Sequence, residues 1–183
     1  MAHRLSRITT RTGDDGSTGL GDGRRVRKDS ARIQALGDID ELNSALGVVL
    51  AEDLPEVARS TLTRIQNELF DLGGEVSIPG YLRVRDDHVA GLEADVSRYN
   101  ADLTPLKEFI LPGGTRAAAL THLARTVARR AERSLVALAD TETINVAGRQ
   151  YLNRLSDLLF VLGRWLNRQG GGNDVLWART PDA

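Results

Sequence analysis

Apolar residues recur at helical spacing along most of the chain, and the breaks between the runs are marked by proline and glycine. Ile39, Leu42, Leu46, Val49 and Leu50 predict a helix reaching about residue 52, with Asp29 or Ser30 as its N-cap. Pro55 opens a second helix at its first turn, carrying Val57, Leu62, Ile65, Leu69 and Leu72, and Gly73-Gly74 weakens its end. Residues 77–85, with Pro79-Gly80, read as a turn. A third helix over about 87–101 rests on Val89, Leu92 and Val96. Pro105, Pro112 and Gly113-Gly114 punctuate a connector over 103–115. A fourth helix then runs to about 139. A fifth runs from about 144 to 168 and stops at Gly170-Gly171-Gly172. Leu5–Thr10 is the one short extended candidate. The expected fold is all-α: a five-helix antiparallel bundle in one domain, with an N-terminal segment (1–28), a helical body (29–169) and a C-terminal tail (170–183).

Some helix faces carry residues that a plain bundle does not need. On the fourth helix, Leu120, Leu123, Val127, Ala131, Leu135 and Leu138 form the expected core face. Arg125, Arg129 and Glu132 fall on the opposite side. A solvated charged face is one reading, but the segment Arg125–Arg133 holds four arginines, no lysine and a single acid. Arginine suits planar, bidentate contact with phosphate oxygens. The fifth helix sets Asn153, Asp157, Phe160 and Arg164 apart from its leucines, and Phe160 there would be exposed unless a subunit or ligand covers it. On the first helix, Gly37, Asp40, Ser44 and Gly47 share a stripe. Each mid-helix glycine costs roughly 1 kcal/mol against alanine, which close helix packing or a closely approaching ligand would justify equally well.

The N-terminal segment differs in kind. Gly13, Gly16, Gly19, Gly21 and Gly23 alternate with Asp14, Asp15 and Asp22, and the apolar content looks too low to pack. Such a segment is either a mobile tail or a phosphate cradle, in which glycine N–H groups face an anion and threonine hydroxyls donate to it. Asp14 or Asp15 could hold Mg²⁺, and Lys28 could reach a terminal phosphate. The loop is neither a Walker A sequence nor a dinucleotide fingerprint. Composition adds exclusions. The 183 residues carry a formal net charge of −1, so nothing global attracts nucleic acid. There is no cysteine, which removes disulfides, thiolate metal sites and thiol nucleophiles. No apolar run approaches the ~20 residues of a membrane span, and none follows His3, Arg4 and Arg7, so the cytoplasm is the expected location. His3, His88 and His122 are too scattered to form a cluster and are expected to be exposed or to cap helices.

Seven segments in order carry a resemblance. They are Thr10-Arg-Thr-Gly-Asp-Asp-Gly-Ser-Thr-Gly19, Arg25-Val-Arg-Lys-Asp-Ser30, Asp38-Ile-Asp-Glu-Leu-Asn-Ser44, Phe70-Asp-Leu-Gly-Gly74, Phe109-Ile-Leu-Pro-Gly-Gly114, Ala128-Arg-Arg-Ala-Glu-Arg133 and Tyr151-Leu-Asn-Arg-Leu-Ser-Asp157. Together they resemble the ATP:cob(I)alamin adenosyltransferases of the propanediol-utilisation type over nearly the whole chain. The resemblance implies a homotrimer with sites between subunits, binding ATP, Mg²⁺ and cobalamin. Thr10, Arg11, Thr12, Gly13, Thr18, Gly19 and Lys28, with Arg129, Arg130, Ala131, Glu132, Arg133 and Asn153, would hold the nucleotide. Mg²⁺ would be carried mainly by the ATP phosphates, without a certain protein ligand. Asp40 and Arg125 would pair near the site, and Phe109 would sit by the corrinoid and keep the lower axial position of cobalt empty. The family often has Tyr-Thr-Lys-Thr at the loop entrance. Here Thr9-Thr10-Arg11-Thr12 keeps the charge but loses the aromatic ring.

The implied reaction is substitution at the ribose 5′ carbon by cob(I)alamin, with triphosphate leaving. The corrinoid supplies the nucleophile, so the protein needs to orient and to stabilise charge rather than to provide a base. A flavin-dependent reductase and an adenosylcobalamin-dependent mutase are the implied partners. A corrinoid carrier serving such a mutase is the alternative.

Overall fold

The computed structural model describes residues 9–179. Five helices make up the body: α1 (Ala31–Leu50), α2 (Glu56–Ser77), α3 (Asp86–Asn100), α4 (Arg116–Ala139) and α5 (Val146–Gln169). α1 packs on α2 and α4, and α5 packs on α4 and α3. The neighbours therefore run α2–α1–α4–α5–α3, and one cluster of Leu, Ile, Val and Ala side chains joins all five helices. Short polar caps start the two long helices that matter most for the site. The Thr115 hydroxyl accepts from Ala118 N at α4, and the Asn145 carboxamide accepts from Ala147 N at α5. Gly170, with Gly171 at φ 79°, ends α5.

Several expectations shift. α2 runs through Gly73-Gly74 to Ser77, because Leu72, Glu75 and Val76 remain buried across that stretch. Leu123 was expected in the core but is 59% exposed. α4 lies between α1 and α5, and the two interfaces centre its buried face on the small residues Ala124, Ala128 and Ala131 instead. Val57 also faces outward. On α5, Arg164 does not join a wet stripe. Residues 161–167 are all buried, because the connector and tail fold over the end of the helix. Phe160 is half-buried against the core beside His122, with ring centroids 6.0 Å apart.

The core also holds polar groups with partners. The Tyr151 hydroxyl donates to Glu68 Oε2 at 2.6 Å, and Arg64 donates to Glu68 and to Asp95, each at 2.5 Å. Burial first, and then the Glu68 carboxylate, pushes the Tyr151 phenol well up. Arg32, also buried, is held by Glu142 at 2.6 Å and by the Val76 carbonyl at 2.5 Å. His88 sits at the start of α3, where its Nδ1 accepts from Arg85 N at 3.2 Å. His122 departs from expectation, being buried rather than exposed or capping; His3 lies outside the described residues.

The N-terminal segment is a hairpin. β1 (Ser17–Gly19) pairs antiparallel with β2 (Arg25–Arg27), with Thr18 opposite Val26. One apolar residue is enough to seat it: Leu20 is buried, and Gly21 N donates to the Ser77 carbonyl at the end of α2. A Cβ on Gly21 would lie 2.3 Å from Ile78 Cγ1, so only glycine lets the turn come this close. Most of the extended candidate over Leu5–Thr10 falls outside the described residues, and Thr9 and Thr10 form no strand.

Candidate functional site

The loop ahead of β1 turns back on itself. Gly16, at φ 82°, donates its N–H to the Gly13 carbonyl, and Lys28 N donates to the Gly16 carbonyl at 2.9 Å. Asp15 closes a tight turn by accepting from Ser17 N at 2.9 Å and Ser17 Oγ at 2.7 Å, and these two bonds lower its pKa. Arg25 braces the loop by donating to the Thr12 carbonyl and to Ser17 Oγ, both at 2.5 Å. Thr10 and Thr12 share a hydroxyl–hydroxyl bond of 3.0 Å. The result is a tight turn closed at Gly13. A Cβ there would stand 2.8 Å from the Ser17 carbonyl oxygen and 3.1 Å from Lys28 Nζ. The Lys28 side chain is thus folded against the Gly13 backbone. Arg11 holds a positive φ of 60° at the entrance, while Thr18 and Gly19 lie on β1.

α4 presents the second set of cations. Arg125, Arg129 and Arg133 follow one another at single-turn intervals. No described residue forms an ion pair with any of the three, and Arg125 Nε is buried without a hydrogen-bond partner. Burial first, and then the charge of Arg129, pulls the Arg125 guanidinium below its usual range. Like charges one helical turn apart repel, and a half-buried cation without a partner adds a solvation cost. Arg133 Nη1 donates to the Arg129 carbonyl at 3.1 Å. Asn153 on α5 donates to Glu132 Oε1 at 2.9 Å and accepts from Arg154 at 2.5 Å, so the amide fixes Glu132 beside the arginines.

Two of the expected nucleotide residues are occupied otherwise. Arg130 turns to α1, where Asp38 (3.4 Å) and Glu41 hold its guanidinium. Ala131 faces the core with no exposed surface, so its side chain serves packing. Among the described residues, no hydrogen bond or ion pair joins the 10–28 segment to α4, and none joins Asp40 to Arg125. Asp40 instead stands on the rim of an apolar cleft of about 520 Å³ between α1 and α2, with Leu36, Gly37, Gly73 and Phe70, the last 74% exposed. A Cβ on Gly37 would meet nothing within 4 Å, so packing inside one chain does not account for this glycine.

Phe109 is 76% exposed on the connector. The tail runs antiparallel beside it: Trp177 N donates to the Phe109 carbonyl at 2.7 Å, Leu111 N to the Val175 carbonyl at 2.8 Å, and Ile110 bridges Leu176. The rings of Phe109 and Trp177 meet edge-on with centroids 6.5 Å apart. Sequence reasoning missed Trp177, because a single aromatic in a short irregular tail has no periodicity to reveal it.

Residues 8–166 match the model described as cobalamin adenosyltransferase. The chain belongs to that family. It is 63% identical over 180 residues to a cobalamin adenosyltransferase of Cupriavidus metallidurans, with 98% of each chain covered. It is 44% identical to a corrinoid adenosyltransferase of Bacillus subtilis, covering 95% of this chain and 93% of that one. Among solved structures, a variant PduO-type ATP:corrinoid adenosyltransferase from Lactobacillus reuteri, complexed with cobalamin and ATP, superposes with a TM-score of 0.90 at 33% identity, covering 94% of this chain and all of that one. Among the described residues no helix is long and apolar enough to cross a membrane.

Proposed function

We propose that this cobalamin adenosyltransferase family member transfers the 5′-deoxyadenosyl group of ATP to the cobalt of cob(I)alamin, releasing triphosphate. The observation that carries the reading is the Arg125–Arg129 pair, two cations held together without a counter-ion among the described residues of their own chain. An arrangement that is costly when empty becomes favourable when a polyanion lies across it. As the C5′–O bond breaks, negative charge grows on the triphosphate, and fixed cations stabilise that state more than the bound ground state. The loop around Gly13, with the Lys28 ammonium folded against it, offers a cation to a phosphate. Glu132 and Asn153, tied to each other, offer polar atoms to the nucleoside.

The loop and the arginine row are separate within one chain, which favours a homotrimer in which each site takes the loop from one subunit and α4 from the next. Asp40, unpaired with Arg125 in its own chain, then meets the arginine across the same boundary, and the apolar cleft with Gly37 and Phe70 is covered there. Phe109 and Trp177 present an aromatic wall that suits the flat, lower side of a corrin ring and leaves no basic atom to ligate cobalt. Mg²⁺ arrives with the triphosphate. Within the loop, Asp14 is an exposed carboxylate that could accept from its water shell, whereas Asp15 is engaged with Ser17.

The test is direct. Chemically reduced cob(I)alamin mixed with Mg·ATP should lose its absorption band while adenosylcobalamin and triphosphate appear in equal amounts. Tight corrinoid binding with no product under strong reduction would make the protein a carrier instead.

A further inference from the structure

The connector that carries Phe109 has little packing of its own, since residues 104–109 are all exposed. Beneath it opens a cleft of about 550 Å³, lined by Leu103, Thr104, Leu106, Arg164, Asp174 and Leu176. Beyond Leu103, which packs on the core at its start, apolar contact does not fix the connector against α5. What crosses the gap is polar. Arg164, only 4% exposed, donates from Nε to Asp174 Oδ2 at 2.8 Å and from Nη2 to the Thr104 carbonyl at 2.9 Å. One guanidinium thus grips the connector shortly before Phe109 and the tail shortly before Trp177. The bridged pair of segments leaves that grip and ends in the aromatic contact.

We propose that Arg164 and Asp174 are positioning residues for the corrinoid side of the site, setting where Phe109 and Trp177 stand. This rests on the placement of Phe109 beside the corrinoid. The pairing has a physical reason to be obligatory. A guanidinium this deeply buried needs an anionic partner, and Asp174 is the one it has. The planar guanidinium also fixes direction: Nε reaches the tail and Nη2 the connector, so the two segments are held in register relative to each other. A lysine could hold one of them but not both in this geometry.

The experiment uses the full chain with Asp174→Asn, Asp174→Glu and Arg164→Met, and Phe109→Ala as the reference. Four readouts are compared: melting temperature, ATP affinity by calorimetry, steady-state kinetics, and the absorption spectrum of bound cob(II)alamin, which reports loss of the lower axial ligand. Acrylamide quenching of fluorescence adds the tail's position, because Trp165 is buried and the quenchable signal belongs to Trp177. Asp174→Asn and Arg164→Met should lower kcat roughly tenfold and weaken the cob(II)alamin spectral change, with ATP affinity kept within about twofold. Quenching should rise in both, and Asp174→Glu should restore most of the signal. If Arg164→Met does not fold, Asp174→Asn on the tail still gives the answer. An unchanged corrinoid spectrum despite increased quenching overturns the proposal, and so does an equal loss of ATP binding and turnover with a lowered melting temperature. No spectral change in Phe109→Ala removes the placement of Phe109 itself, and the positioning role with it.

Discussion

Replacing Arg125 with methionine should leave the fold of the single chain intact while removing most of the activity. The side chain is half-buried, its Nε has no hydrogen-bond partner, and Arg129 lies one turn away with the same charge. Methionine keeps the volume and relieves the repulsion, which for like charges at this spacing is about 0.2–0.5 kcal/mol. Loss of the solvation cost adds to that gain, and loss of the proposed pairing with Asp40 of a neighbouring chain offsets it, so thermal unfolding should stay close to its place. Against a polyanion the sign reverses. A hydrogen bond to a charged group is worth about 1.5–3 kcal/mol, or roughly 10- to 150-fold in kcat/KM. The assay pairs a thermal melt with initial rates of adenosylcobalamin formation at saturating and limiting ATP. If the melting temperature drops by several degrees while kcat/KM stays within about twofold, Arg125 is a structural residue and the charge-stabilising role is wrong.

Other expectations are simpler to check. Gly13→Ala should weaken ATP binding at least roughly tenfold in calorimetry, because the new Cβ meets the Ser17 carbonyl oxygen and displaces the Lys28 side chain. Leu123→Ser should change stability by less than about 0.5 kcal/mol, whereas Leu135→Ala on the buried face should cost about 2–5 kcal/mol in denaturant unfolding. Tyr151→Phe should cost about 1–3 kcal/mol, since it strips the buried Glu68 of one of its donors. His122 has its pKa lowered, by burial first and then by Arg125. The unfolded chain therefore takes up this proton before the folded one does. The stability contribution is complete above the ordinary histidine value of 6.5 and is lost as the pH falls through it. His122→Gln should flatten the decline in stability between pH 7.5 and 5.5, and identical slopes in the two proteins would contradict the assignment.

The helical body was legible because each helix pairs a regular apolar stripe with a strong boundary: Pro55, Thr115 and Gly170 mark breaks that the structure keeps within a residue or so. What periodicity could not show was how small a residue a doubly packed helix needs. It placed Leu123 inside, although α4 is so tightly held that Ala124 and Ala128 fill that role. Arg164 and Phe160 were misjudged for a related reason. The cover of Arg164 comes from the connector and the tail, irregular segments whose path no pattern encodes, and Phe160 turns against the core beside His122. The arginine-rich, lysine-free composition of α4 did point to an anion, but only coordinates could separate Arg130, which is bound to Asp38 and Glu41, from Arg125 and Arg129, which are not. The hairpin was hidden because its seating depends on one leucine and on a glycine fitted against Ile78.

The hairpin is seated on the end of α2, with no hydrogen bond or ion pair to α4 among the described residues, so in the proposed trimer the two halves of the machinery are genetically separable. A chain with Gly13→Ala keeps intact arginines, and a chain with Arg129→Ala keeps an intact loop. Each alone should be strongly impaired at limiting ATP. Co-refolded in equal amounts, they should complement, because about a quarter of randomly assembled boundaries would join a good loop to a good arginine row. Activity that returns on mixing would make the working unit the junction between chains, so that damage to one copy can be masked by its neighbour.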